Sequence, residues 1–157
     1  MDTARFVFER LDGSTWSRAE SLDFGVVPDG SSSSEIEMRV RNRGPGEENV
    51  GIVLAASSGE RADDLATILQ WGLAGDGVEI RQLVNPTTWG PWSSFQEGVG
   101  DEPDYRVLLS RHGIDPTPPS ADGEVPRAST ARFQLRASVP SGLSSTRVRV
   151  GLAVYYG

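Results

Sequence analysis

A chain of 157 residues with 37% hydrophobic and 24% charged residues is sized and composed for one globular domain with a real core, and no stretch approaches a transmembrane span. Twenty-two acidic against fifteen basic residues give a net charge of −7 and a pI near 4.7, a field that repels a phosphate backbone and excludes nucleic acid as the expected partner. The absence of cysteine excludes disulfides, thiolate nucleophiles and cysteine-based metal centres.

From the start of the chain, charges interrupt the apolar residues of Met1 to Arg10, so no secretory signal is expected. Phe6 and Phe8 alternate with Arg5, Val7 and Glu9, the period-two pattern of a strand with one buried face. Asp12-Gly13 and Pro28-Asp29-Gly30 are turn signals, and Ser31 to Ser34 reads as a loop within one domain. The next clear strand is Glu35 to Arg43, where Ile36, Met38 and Val40 interleave with Glu37, Arg39 and Arg41. After the Arg43-Gly-Pro-Gly46 turn, Val50 to Ala56 is apolar on both faces, with Val50, Ile52 and Leu54 on one and Val53 and Ala55 on the other. Leu65, Ile68 and Leu69 fall at helical spacing, Asp63 and Asp64 suit a helix N-terminus, and Gly72 suits its end, so one short helix is predicted over Asp63 to Trp71.

Less regular strands are expected at Val78 to Val84, Trp89 to Phe95 and Tyr105 to Ser110. Asp115 to Thr130, with Pro116, Pro118, Pro119 and Pro126, cannot pair in a sheet interior and reads as an extended or mobile loop that orders on a partner. Two regular strands close the chain, Arg132 to Val139 and Arg147 to Tyr155, joined through Pro140 to Ser145 as a hairpin. About eight short strands with one short helix define an all-β antiparallel sandwich, immunoglobulin-like or jelly-roll-like, spanning residues 1–157 as a single domain.

The chemistry of most enzyme sites is missing. His112 is the lone histidine, and no nucleophile elbow or phosphate-binding glycine loop occurs, so a non-enzymatic protein without cofactor or metal is expected. The acidic groups Glu47-Glu48, Asp63-Asp64 and Asp101-Glu102 with Asp104 lack calcium-loop spacing and read as solvated loop charge. Trp89, Trp92 and Phe95 form an aromatic cluster with two readings: a platform for a sugar ring, or a plug for one end of the core.

Arg39, Arg41, Arg132, Arg136, Arg147 and Arg149 all fall on the polar faces of expected strands. In a terminal hairpin Arg136 comes near Arg147 or Arg149, so acceptors must come from Glu35 or Glu37, or from another subunit. With Val50, Ile52 and Leu54, these arginines form the candidate assembly surface; the alternative is a face satisfied by solvent or within the chain.

The stretch Leu22-Asp-Phe-Gly-Val-Val-Pro-Asp-Gly30, followed by Ser31 to Ser34, Glu35 to Gly44 and Asn49 to Leu54, resembles the opening of bacterial and phage immunoglobulin-like modules. Val139-Pro-Ser-Gly142 with Thr146 to Tyr156 is similar to the last hairpin of such modules in tailed-phage virion proteins. The resemblance covers about half of the chain. It implies a structural or adhesive role in a virion, with identical copies building a tail or baseplate or decorating a capsid. Its implied partners are the chain itself and other virion proteins. The alternative is a carbohydrate-binding or host-adhesion module that uses Trp89 and Trp92 on a host-surface glycan.

Overall fold

A computed structural model describes residues 5–55, 59–60, 78–95, 106–138 and 146–156. The fold is all-β. Its strands in chain order are β1 (Phe6–Asp12), β2 (Thr15–Arg18), β3 (Ser21–Val27), β4 (Ile36–Asn42), β5 (Gly51–Ala55), β6 (Gly59–Glu60), β7 (Val78–Arg81), β8 (Leu83–Asn85), β9 (Thr88–Trp89), β10 (Ser93–Ser94), β11 (Val107–Leu108), β12 (Ile114–Asp115), β13 (Thr130–Ala137) and β14 (Thr146–Tyr155). One sheet runs β10-β7-β13-β4-β1-β2, with β12 also on β13. The second runs β11-β5-β14-β3, with β6 lying parallel to the end of β14; β8 and β9 form a separate ribbon. The helix expected over Asp63 to Trp71 lies outside the described residues.

Alternation builds the core. In β4 every second residue is buried, and β13 sends Ala131, Phe133, Leu135 and Ala137 to the same side. These meet Leu22, Ile52, Leu54, Val150, Leu152 and Val154 of the other sheet in one contiguous cluster, the arrangement of a sandwich. Phe8 and Phe133 touch edge to face at 6.4 Å within it.

Strand β3 departs from simple alternation for a definite reason. Leu22 and Val27 are five residues apart, an odd spacing that sends them to opposite faces of a regular strand, yet both are buried. The pairing with β14 shifts there: Val148 lies opposite Gly25 and Arg149 opposite Asp23, so Phe24 is an extra residue. Gly25 takes φ +76° and donates its N–H to Asp23 Oδ1 at 2.8 Å, and the bulge returns both apolar side chains to the core.

The strands expected at both ends of the chain are present, but the terminal hairpin is not. β13 and β14 belong to different sheets, β13 pairing with β4 and β7, and β14 with β3 and β5. Facing sheets satisfy the matching apolar patterns of the two strands as well as a hairpin does, so the pattern alone did not decide between them.

The proline-rich segment 115–130 is pinned rather than loose. Its first residue pairs in β12 against Thr130, and buried Val125 forms a bridge with Glu47. Buried Asn42 donates through Nδ2 to the carbonyls of Pro45 at 2.9 Å and Val125 at 3.0 Å, and accepts the Gly44 N–H at 2.9 Å. Prolines lack an N–H but keep a carbonyl, and Pro126 O accepts from both the N–H and the hydroxyl of Ser129.

Candidate functional site: the outer face of the larger sheet

The same alternation that fills the core sends a charged set outward from β1, β4, β7 and β13. Strand register arranges it in rows. Arg136 lies opposite Glu79; Gln134 sits between Arg81 and Glu37; Arg39 sits between Arg132 and Glu9; Arg41 lies between Thr130 and Val7.

Most of these charges meet within the chain. Arg136 Nε donates to Glu79 Oε1 at 2.8 Å, and Arg81 donates to Gln134 Oε1 at 2.6 Å while its Nη2 lies 3.2 Å from Glu35. Glu9 Oε1 takes both Arg39 at 2.7 Å and Arg41 at 3.3 Å. Glu37 lies 3.3 Å from Arg132 Nη2 and accepts from Gln134 Nε2 at 3.2 Å.

Three tryptophans cover the guanidinium groups. Trp92, between β9 and β10, has Arg136 4.4 Å and Arg81 4.7 Å from its ring centre. Trp89 has Arg132 at 5.6 Å and Arg81 at 5.7 Å. Trp16 is carried over the sheet edge by the tight β1–β2 turn, and Arg39 lies 4.3 Å from its ring. Each contact of this kind contributes about 0.5–1 kcal/mol at an exposed site and more where water is displaced.

Beside Trp16 the face opens into a groove of about 550 Å³, walled by Arg39, Arg132, His112, Asp115 and the proline-rich segment. That volume lies within the range of small-molecule sites.

The residues singled out from the sequence fall in different places. Arg39, Arg41, Arg132 and Arg136 share this face and have carboxylate partners within the chain, so their pairing calls for no second subunit. Arg147 and Arg149 are in β14, opposite Val26 and Asp23 in the smaller sheet, so Arg136 does not meet them across a hairpin. Val50, Ile52 and Leu54 are core residues, and Val53 on the reverse face of β5 is buried as well, which removes the need for an external cover.

Phe95 also belongs to the core. Trp89 and Trp92 are half-buried, and their contacts with Arg81, Arg132 and Arg136 use ring surface that a stacked sugar would need. Sequence reasoning missed Trp16, Glu9 and Glu79. Trp16 has one legible signal, its place three residues after the Asp12-Gly13 turn, but its position over Arg39 depends on the pairing of β1 with both β2 and β4.

His112 sits in a short 3-10 turn (Arg111–Gly113) capped by Ser110. Ser110 Oγ accepts the backbone N–H of His112 at 3.2 Å and donates to Leu83 O at 2.7 Å, so the hydroxyl is engaged by backbone groups rather than by the imidazole. Among the described residues, no three metal-ligating side chains converge, and no helix is long and apolar enough to cross a membrane. No protein-family model, curated protein or solved structure matches this chain.

Proposed function

We propose that this chain is a non-enzymatic structural protein of a bacteriophage virion, a tail, baseplate or capsid-decoration component that assembles through its sandwich surfaces. The virion assignment is supported by the sequence resemblance of the opening and closing segments to phage immunoglobulin-like modules. A non-enzymatic role is supported by the engagement of the charged face within the chain and by the backbone contacts of the Ser110 hydroxyl.

Strand β3 carries the assembly reading. It is the last strand of the smaller sheet among the described residues, and it is seven residues long with Val26 63% exposed. An open edge strand bearing an exposed β-branched residue is a template for pairing with another strand. The edges β2, β10 and β11 are shorter, at four, two and two residues. The assembly surface thus moves from the arginine face to β3, with a second copy as its partner.

Light scattering at high micromolar concentration tests this. The wild-type chain is expected as a defined oligomer, and Val26→Lys as a species of lower mass with the same circular dichroism spectrum. A strictly monomeric wild type, or a Val26→Lys variant that assembles equally, contradicts the reading.

A further inference from the structure

The outer face of the larger sheet contains one place where its register works against itself. Arg132 lies directly opposite Arg39, and like charges in that position repel. The carboxylates nearby do not fully compensate: Glu9 is shared by Arg39 and Arg41, and Glu37 is shared by Arg132 and Gln134. Both opposed arginines line the groove beside Trp16. Among the described residues, Arg39 makes one side-chain hydrogen bond, through Nε, which leaves its terminal N–H groups open. Arg132 contacts Glu37 through Nη2 alone, and its side chain is 39% exposed.

We infer that this groove is a binding site for a carboxylated saccharide, a uronic or sialic acid unit. Two guanidinium groups on adjacent strands match a carboxylate, which relieves their repulsion while forming charge-assisted hydrogen bonds. Trp16 carries Arg39 at 4.3 Å from its ring centre and also lines the groove, where its remaining indole surface is offered to a pyranose ring. Asp115 stands exposed at the groove; its backbone pairs with Thr130, its side chain makes no hydrogen bond or ion pair among the described residues, and its carboxylate is suited to accept from sugar hydroxyls. A free sulfate ion would use the arginines but bring no hydroxyl donor to Asp115. A neutral sugar would bring no additional anion to the opposed arginines, whose partners Glu9 and Glu37 are shared with Arg41 and Gln134. The combination of paired cations, an aromatic wall and a free acceptor therefore selects a ligand bearing both a carboxylate and hydroxyls. This site is separate from β3, so it holds whether or not the chain self-assembles.

The test is isothermal titration of the full chain with uronate and sialylated oligosaccharides, each measured beside its neutral methyl ester. At least one acid is expected to bind saturably, about tenfold or more tighter than its ester, and to weaken as salt is added. Arg132→Gln and Trp16→Ala are each expected to cost about tenfold or more in affinity, and Asp115→Asn severalfold, with unchanged circular dichroism. Absence of saturable binding across the panel at millimolar concentration overturns the inference. So does equal affinity for acid and ester, or wild-type affinity in Arg132→Gln, a surface change expected to leave the fold intact. Light scattering on the same samples reads assembly separately, so failure of the groove and failure of the structural reading are distinguishable.

Discussion

The outer face of the larger sheet has two halves built from the same residue types, and they differ in how register disposes the charges. In the half under Trp92, Arg136 faces Glu79, Arg81 faces Gln134, and both guanidinium groups pack on the same indole. In the half beside Trp16, Arg132 faces Arg39, two carboxylates serve three arginines, and a groove lies alongside. The first half is locally consistent, Arg136 meeting a carboxylate and Arg81 an amide acceptor across the strand. The second violates the cross-strand rule, and such local conflicts mark places shaped by function rather than by stability. Composition alone does not distinguish the halves; only pairing does.

Tryptophan truncation gives the largest expected contrast. Trp92→Ala removes the common cover of Arg81 and Arg136 and is expected to destabilise the chain by about 2–3 kcal/mol in urea unfolding. Trp16→Ala, within a short edge strand, is expected to cost about 1 kcal/mol, with its main effect on ligand affinity. Equal losses would dissolve the distinction. A smaller contrast lies in coupling energies. A double-mutant cycle between Arg136 and Trp92, at 4.4 Å, is expected to return about 1 kcal/mol, and one between Arg132 and Trp89, at 5.6 Å, less than about 0.5 kcal/mol. Because these side chains are half-exposed, the ion pairs under them add only modestly.

How much of this was legible in the sequence depended on whether one strand or several carried the information. The buried faces of β1, β4, β13 and β14 follow from period-two patterns within single segments, and the all-β class follows from them. β3 was missed as a strand because its bulge breaks the period between Leu22 and Val27. The proposed terminal hairpin failed because β13 and β14 have the patterns of partners without being neighbours, and only the pairings with β4 and β3 separate them. The outward arginines were legible one by one, but whether each meets an acid or another arginine is fixed by register across three strands. The groove lay further from reach still. It needs Trp16 from the edge of the sheet, Arg39 and Arg132 from its centre, and Asp115 from a segment whose prolines suggested a loose loop rather than one pinned by Asn42 and Val125.

The contrast between the halves rests most directly on the paired substitutions Arg136→Gln and Arg132→Gln, which remove the same charge from outward positions of β13 on either side of Gln134. Denaturant unfolding at low salt compares them without reference to any ligand. Arg136→Gln leaves Glu79 without its cation and is expected to lose about 1–2 kcal/mol, whereas Arg132→Gln relieves the repulsion with Arg39 and is expected to lie within about 0.5 kcal/mol of wild type, on either side. Equal destabilisation by the two, or a larger loss at Arg132, would contradict the division of this face into a half that holds the sheet together and a half left open to bind.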